Sequence, residues 1–383
     1  MNSAPRLDSL TGLRFVAALG VAFAHLPYLH TPDAVGRVLS EGGIGVPFFF
    51  ILSGFVLTLA YRERLANPTR SAIKGYYVSR VARVWPLHLL TFALTFALPV
   101  GPQAIEFGPA LANAFLVHTW FPDLRYVQSN NSVSWTLAIE SFFYLALPLL
   151  LWVAMKWKSA TPRQLILAAA ATWGLQYTWV RWHKHGTDVG TQYLVAFCPP
   201  ARIGEFAVGI FLALAHVKTR EPVRHRWWLG TAFEIAALAF VVALMVRSNR
   251  EHPFLRLSVY YVPALALAVA VFARSRGALS QLLAMRLPVF LGDVSFAFFL
   301  IHPFAFIYIG HRHALQYGPS ACAAVSLTTA LAAAIILNRL VERPLRTALP
   351  RWWDGIGHRI QMGRGRLARS LRRRHFGVSA TDV

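Results

Sequence analysis

Charge is what this sequence has least of. Only 14% of its 383 residues are Asp, Glu, Lys or Arg, and only 16 are acidic. A soluble domain carries about 25% charged residues, so an ordinary water-soluble globule is excluded. Cysteine is nearly absent too. Cys198 and Cys322 make no disulfide framework and no metal-ligand spacing, and no metal is expected. Lysine is scarce beside arginine, and the basic residues fall between apolar runs rather than on one polar face. The net charge of +22 therefore does not point to nucleic acid. No cleavable signal peptide is evident, because the first apolar stretch contains Arg14 and lacks a small-residue cleavage pattern.

Apolar residues are abundant, at 56%, and they come in long runs. A helix that crosses a bilayer needs roughly 20 mostly apolar residues. Runs at 12–29, 44–61, 84–101, 135–154, 163–180, 203–217, 228–246, 258–273, 288–309 and 318–338 predict an all-α, polytopic membrane protein with about ten transmembrane helices. A shorter stretch, 104–118, includes Glu106 and reads as a short or re-entrant segment.

With the N-terminus inside, 28 of the 38 Lys and Arg residues fall on the cytoplasmic side, 9 fall outside, and Arg14 lies within a helix. This positive-inside bias predicts cytoplasmic termini, an external 181–201 loop and a multi-pass protein of the plasma (inner) membrane. A full crossing at 104–118 would instead place Lys156 and Lys158 outside. Residues 1–345 are expected to form the membrane domain. Residues 346–383, with Gly363-Arg364-Gly365-Arg366 and Arg372-Arg373-Arg374, are expected to form a disordered basic tail on anionic lipid, each charge contributing about 1 kcal/mol.

Ionisable groups inside a bilayer are costly, so each marks a candidate site. Arg14 and His25 are 11 residues apart, close to three helical turns and about 16 Å, and so share a face. They suit a substrate lying along the helix. The plainer alternative is an arginine snorkelling to phosphate and a histidine bonded to a backbone carbonyl. Glu140 opens the fourth long run at a depth similar to His25, where it could orient an imidazole acting as general base or pair with Arg202. Arg80 and Arg83, at i,i+3 spacing, can grip a phosphate or merely set topology. The run Gly42 to Phe55, with glycines and Pro47, allows close backbone approach or a helix break. No Gly-x-Ser-x-Gly and no adjacent base support Ser53 as a covalent nucleophile.

Taken together, these features resemble the acyltransferase 3 family of membrane O-acyltransferases, from residue 7 to about 346. The resemblance rests on Arg14-x10-His25, Ser53-Gly54-Phe55, Arg80-x-x-Arg83, and Trp135-Thr136-Leu137 with Glu140. It continues through Arg202-Ile203-Gly204-Glu205-Phe206 with Gly209, Ser295 to His302, and Glu342-Arg343-Pro344. One departure is Phe296 and Phe299, where the family usually carries tyrosines. A soluble hydrolase-like domain carried by some relatives is not expected here.

The resemblance implies transfer of an acyl group, commonly acetyl, from cytoplasmic acyl-CoA to a hydroxyl of a carbohydrate, cell-surface glycan or glycosylated metabolite. It implies that Arg80 and Arg83, with Ser53 and Gly54, hold the CoA moiety, and that Arg14 lies along the pantetheine arm. His25 is then the general base and Glu140 its support. Trp135, Arg202, Glu205 and His302 lie on the acceptor side, with His302 the rival base. The opening Leu10 to Phe15 also resembles macrolide acyltransferases, which keeps an antibiotic acceptor open. A proton-coupled transporter of acylated substrates is the alternative from another class, since buried Arg, His and Glu suit it as well.

Overall fold

The computed structural model describes residues 7–26, 29, 31, 33–66, 68–100, 104–183, 189–219, 226–311 and 316–353. Each long apolar run folds as a helix. In chain order these are α1 (Asp8–Ala24), α2 (Gly45–Ala66), α3 (Arg70–Ala97), α4 (Trp135–Met155), α5 (Pro162–His183), α6 (Ile203–Lys218), α7 (Trp227–Arg247), α8 (Val262–Phe272), α9 (Arg286–Ala305) and α10 (Pro319–Leu337). No β-strand occurs among the described residues.

Seven of the ten helical regions are long and apolar enough to cross a membrane, those built on α2, α4, α6, α7, α8, α9 and α10. The other three fall short for visible reasons. α1 has only 17 residues. α3 carries Arg70, Lys74, Arg80 and Arg83. α5 is interrupted by Gln164, Thr172 and Gln176. The stretch 104–118 forms a helix at Phe107–Ala114 of 8 residues, about 12 Å long and too short for a hydrocarbon core of about 30 Å.

The apolar core has two lobes that share α1, α2 and α6. One adds α3, α4, α9 and α10, and the other adds α5, α7 and α8. α9 is the most enclosed of the seven apolar spans, with 72% of its apolar window buried, whereas α7 and α10 lie at the periphery with 28%. Helices in lipid associate through close packing of small residues, and α2 and α6 show this directly. A Cβ on Gly209 would lie 2.0 Å from the carbonyl oxygen of Ile51, and one on Gly54 would lie 2.1 Å from that of Phe206. Gly54 thus serves the α2–α6 contact.

After α10 the chain makes a wide π-type turn at Asn338–Glu342 and stays helical to 353, past the expected boundary at 345. Lys74 there lies over the ring of Trp353, 4.8 Å from its centroid. The arginine-rich remainder of the tail and the extreme N-terminus lie outside the described residues.

Candidate active site

Two cavities open between the same helices, α1, α2, α4 and α9. The first, of about 160 Å³, is lined by Arg14, Ser53, Arg80, Arg83, Glu140 and Tyr144. The second, of about 410 Å³, is lined by His25, Glu41, Gln128, Ser132, Trp135 and Arg256. Val46, Thr136 and Phe299 line both, so these three form the partition. The helical repeat explains the division along α1. Arg14 and His25 share a face, but three turns separate them.

The arginine cavity gathers charge from four helices. Thr69 caps α3 by accepting from the Ala72 amide at 3.1 Å, at the start of the helix that carries Arg80 and Arg83. Arg83 forms an ion pair with Glu342, and its guanidinium sits over the Phe296 ring at 4.9 Å. Arg80 has no carboxylate partner among the described residues. It donates to the Tyr61 hydroxyl at 3.3 Å and lies over the rings of Tyr61 and Tyr144 at 5.5 and 5.7 Å. Arg14 has Glu140 as its strongest opposing charge. Three guanidiniums and a single carboxylate, Glu140, line this cavity; outside the lining, Glu342 pairs with Arg83 and Asp293 with Arg343. A concave site with this imbalance and low-dielectric walls focuses potential on an anion, and guanidiniums suit phosphate oxygens.

Glu140 is placed differently from expectation. It accepts the Ser53 hydroxyl proton at 2.9 Å and lines the arginine cavity, while His25 lines the other. Among the described residues no ion pair joins Glu140 to Arg202, whose carboxylate partner is Glu205. The expectation that Ser53 lacks an adjacent base is corrected by the same bond.

His25 follows the last turn of α1 as its C-cap. Its Nδ1 lies 2.8 Å from the Val21 carbonyl oxygen, which requires the proton on Nδ1 and makes Nε2 the basic nitrogen of the neutral ring. The anticipated backbone contact is real, and it is compatible with a base role. His302 from α9 stands edge-on to it, with ring centroids 5.1 Å apart. His302 is fully buried, and aromatic rings pack round it, Phe306 at 5.2 Å and Phe299 at 5.9 Å. The Asn131 amide donates to the Leu300 carbonyl at 2.9 Å. That bond ties the turn before α4 to α9 and brings Ser132 and Trp135 to the His25 end.

Arg202 and Glu205 were expected on the acceptor side. They instead form a buried pair, both side chains fully inaccessible, at 2.7 Å. Arg202 also donates to the Ala196 carbonyl at 2.8 Å, and Gln176 donates to the other oxygen of Glu205 at 3.1 Å. The pair is saturated by its own network and lines neither cavity. It positions Trp135 from behind, with the Arg202 guanidinium 5.9 Å from that ring.

Sequence reasoning missed Tyr144, Glu342, Glu41 and Arg256 as site residues. Tyr144 was within reach, since it lies four residues after Glu140 and so on the same helical face. Glu342 stood in a quoted motif without a role. Glu41 and Arg256 had no local signal, because they meet only through the fold.

Seven helices long and apolar enough to cross a bilayer, enclosing a two-part polar site, define a membrane protein. A family model described as an acyltransferase domain matches residues 7–339, and the chain belongs to this acyltransferase 3 family. It is 29% identical over 376 residues to the acyltransferase MdmB of Streptomyces mycarofaciens, covering 90% of this chain and 93% of that one. It is 26% identical to the peptidoglycan O-acetyltransferase OatA of Listeria monocytogenes, over 77% of this chain but only 49% of the relative. A putative acetyltransferase of Acidianus two-tailed virus is 25% identical over 79% of this chain and 83% of its own. No solved structure matches.

Proposed function

We propose that this acyltransferase takes an acyl group, acetyl in the first instance, from cytoplasmic acyl-CoA and places it on a carbohydrate hydroxyl. The observation that carries the reading is the arginine cavity, whose three guanidiniums exceed the carboxylates facing them. A CoA moiety is a polyanion with a long uncharged arm, and this cavity offers phosphate-binding cations on one side of the partition of Val46, Thr136 and Phe299, with His25 on the other; the proposed arm crosses that partition. Arg80, which has no carboxylate of its own, is the principal phosphate contact. Arg83 is shared with Glu342. Arg14 lies where the arm passes.

His25 Nε2 takes the proton of the acceptor hydroxyl as the oxygen attacks the thioester carbonyl; the C–S bond then breaks, and the CoA thiolate leaves with the proton that the imidazolium returns. General-base help of this kind is worth about 10²–10⁴-fold. Glu140, held by Ser53, balances the Arg14 charge rather than orienting His25. Transfer is direct, because a lone carboxylate without an intervening histidine is a poor activator of Ser53. The acceptor occupies the larger cavity; the relative named for peptidoglycan supports a glycan hydroxyl, and the match to the acyltransferase MdmB over 93% of its length supports a glycosylated metabolite as the second reading. The membrane is the plasma membrane, with both termini and the arginine cavity on the cytoplasmic side. Purified protein given radiolabelled acetyl-CoA and glycan fragments should yield labelled ester. Absence of both ester formation and CoA binding in folded protein would overturn the reading.

A further inference from the structure

We propose that Glu41 and Arg256 are specificity-determining residues of the larger cavity, selecting an acceptor that carries no net charge near His25. This rests on reading that cavity as the acceptor's seat. Glu41 opens the 3-10 turn Glu41–Ile44. The turn is pressed on α1 where Gly42 meets Gly20, and a Cβ on Gly42 would lie 1.9 Å from the Gly20 carbonyl oxygen. Both carboxylate oxygens of Glu41 are engaged. Tyr261 donates to Oε2 at 2.7 Å, and Arg256 Nη1 pairs with Oε1. The carboxylate is thus fixed in orientation. Arg256 keeps donor capacity, since only its Nη1 is paired among the described residues and its side chain remains 29% exposed.

The consequence is electrostatic. The larger cavity presents one positive and one negative side chain, with the Gln128 amide, the Ser132 hydroxyl and the Trp135 ring beside them. A sugar ring fits this inventory: an aromatic face to stack on, a carboxylate to accept from one hydroxyl and a guanidinium to donate to the next. An acidic sugar meets the Glu41 charge, and an amino sugar with a free ammonium meets Arg256. Discrimination comes from the repulsive element as much as from the attractive one. The volume of about 410 Å³ lies at the small end of small-molecule pockets, roughly 300–1,000 Å³.

The test uses the full chain in detergent, acetyl-CoA as donor, and methyl β-glucoside and methyl β-glucuronide as acceptors. Glycoside binding is followed separately by saturation-transfer NMR. Wild type should bind and acetylate the glucoside and discriminate against the glucuronide. Glu41→Gln should shift the glucuronide-to-glucoside ratio of kcat/KM upward by about tenfold or more and leave the KM for acetyl-CoA unchanged. Arg256→Gln should shift preference the opposite way, toward methyl glucosaminide with its free amine, which covers the case in which Glu41→Gln does not fold. The pair Glu41→Gln with Arg256→Gln should return the charge preference to neutral. An unchanged ratio in both single variants, or a wild type that accepts glucuronide equally, overturns the proposal. Glycoside binding without transfer from acetyl-CoA would sink the donor reading and spare this one. CoA binding with no glycoside bound would do the reverse.

Discussion

The two cavities share three wall residues and differ in how their charge is balanced. In the smaller one three arginines and one carboxylate line the wall, and Arg80 has no carboxylate partner among the described residues. In the larger one Glu41 and Arg256 neutralise each other. Burying unpaired charge is expensive, and an anionic ligand would relieve that cost in the smaller cavity. The balanced cavity suits a neutral polar ligand. This contrast is the basis for proposing the donor in the smaller cavity and the acceptor in the larger one, which His25 lines.

The largest effect expected from breaking this arrangement is at His25. His25→Ala should reduce single-turnover transfer by about 10²–10⁴-fold while CoA binding persists. Near-normal turnover there, with loss in His302→Ala, would move the base to α9. Next comes the pair behind Trp135. Arg202→Ala leaves Glu205 buried and uncompensated, which costs about 3–5 kcal/mol. Thermal unfolding in detergent should show a marked loss of stability, and surviving folded protein should keep its donor affinity. An altered acceptor KM at full stability would restore the substrate-binding role first expected of Arg202.

Smaller effects sharpen the comparison further. Glu140→Gln should lower turnover by less than His25→Ala, because Glu140 bonds to Ser53 and lines the cavity opposite the base. A loss equal to that of His25→Ala would put Glu140 in the proton path. Smallest is Phe296→Tyr, which keeps the ring under Arg83 and should change donor affinity by less than about threefold. Its CoA dissociation constant is the measurement.

Much of the membrane architecture was legible because apolar runs of spanning length have one physical use. The motif residues also landed on the expected helices. What could not be read was which polar group meets which. His25 and Glu140 have similar depth, but depth does not set the rotation of one helix against another. Glu140 turned to Ser53 and Arg14, and His25 to Val21 and His302. Arg83 found Glu342, from the far end of the chain, where only tertiary packing could bring a carboxylate. Arg202 and Glu205 were expected on the acceptor side because they stand in a family motif, and a motif alone does not distinguish a substrate contact from a buried pair such as theirs. Gly54 sat in a motif with Ser53, but adjacent residues on a helix point about 100° apart, and one faces the cavity while its neighbour faces α6.

Titration of CoA itself, without an acyl group or an acceptor, into wild type, Arg80→Ala and Glu41→Gln tests the division of labour most directly. Arg80→Ala should weaken binding by roughly ten- to a hundredfold, the worth of one charge-assisted contact of about 1.5–3 kcal/mol. Glu41→Gln should leave it within twofold of wild type. Unchanged affinity in folded Arg80→Ala, or a comparable loss in Glu41→Gln, would contradict the assignment of donor and acceptor to separate cavities.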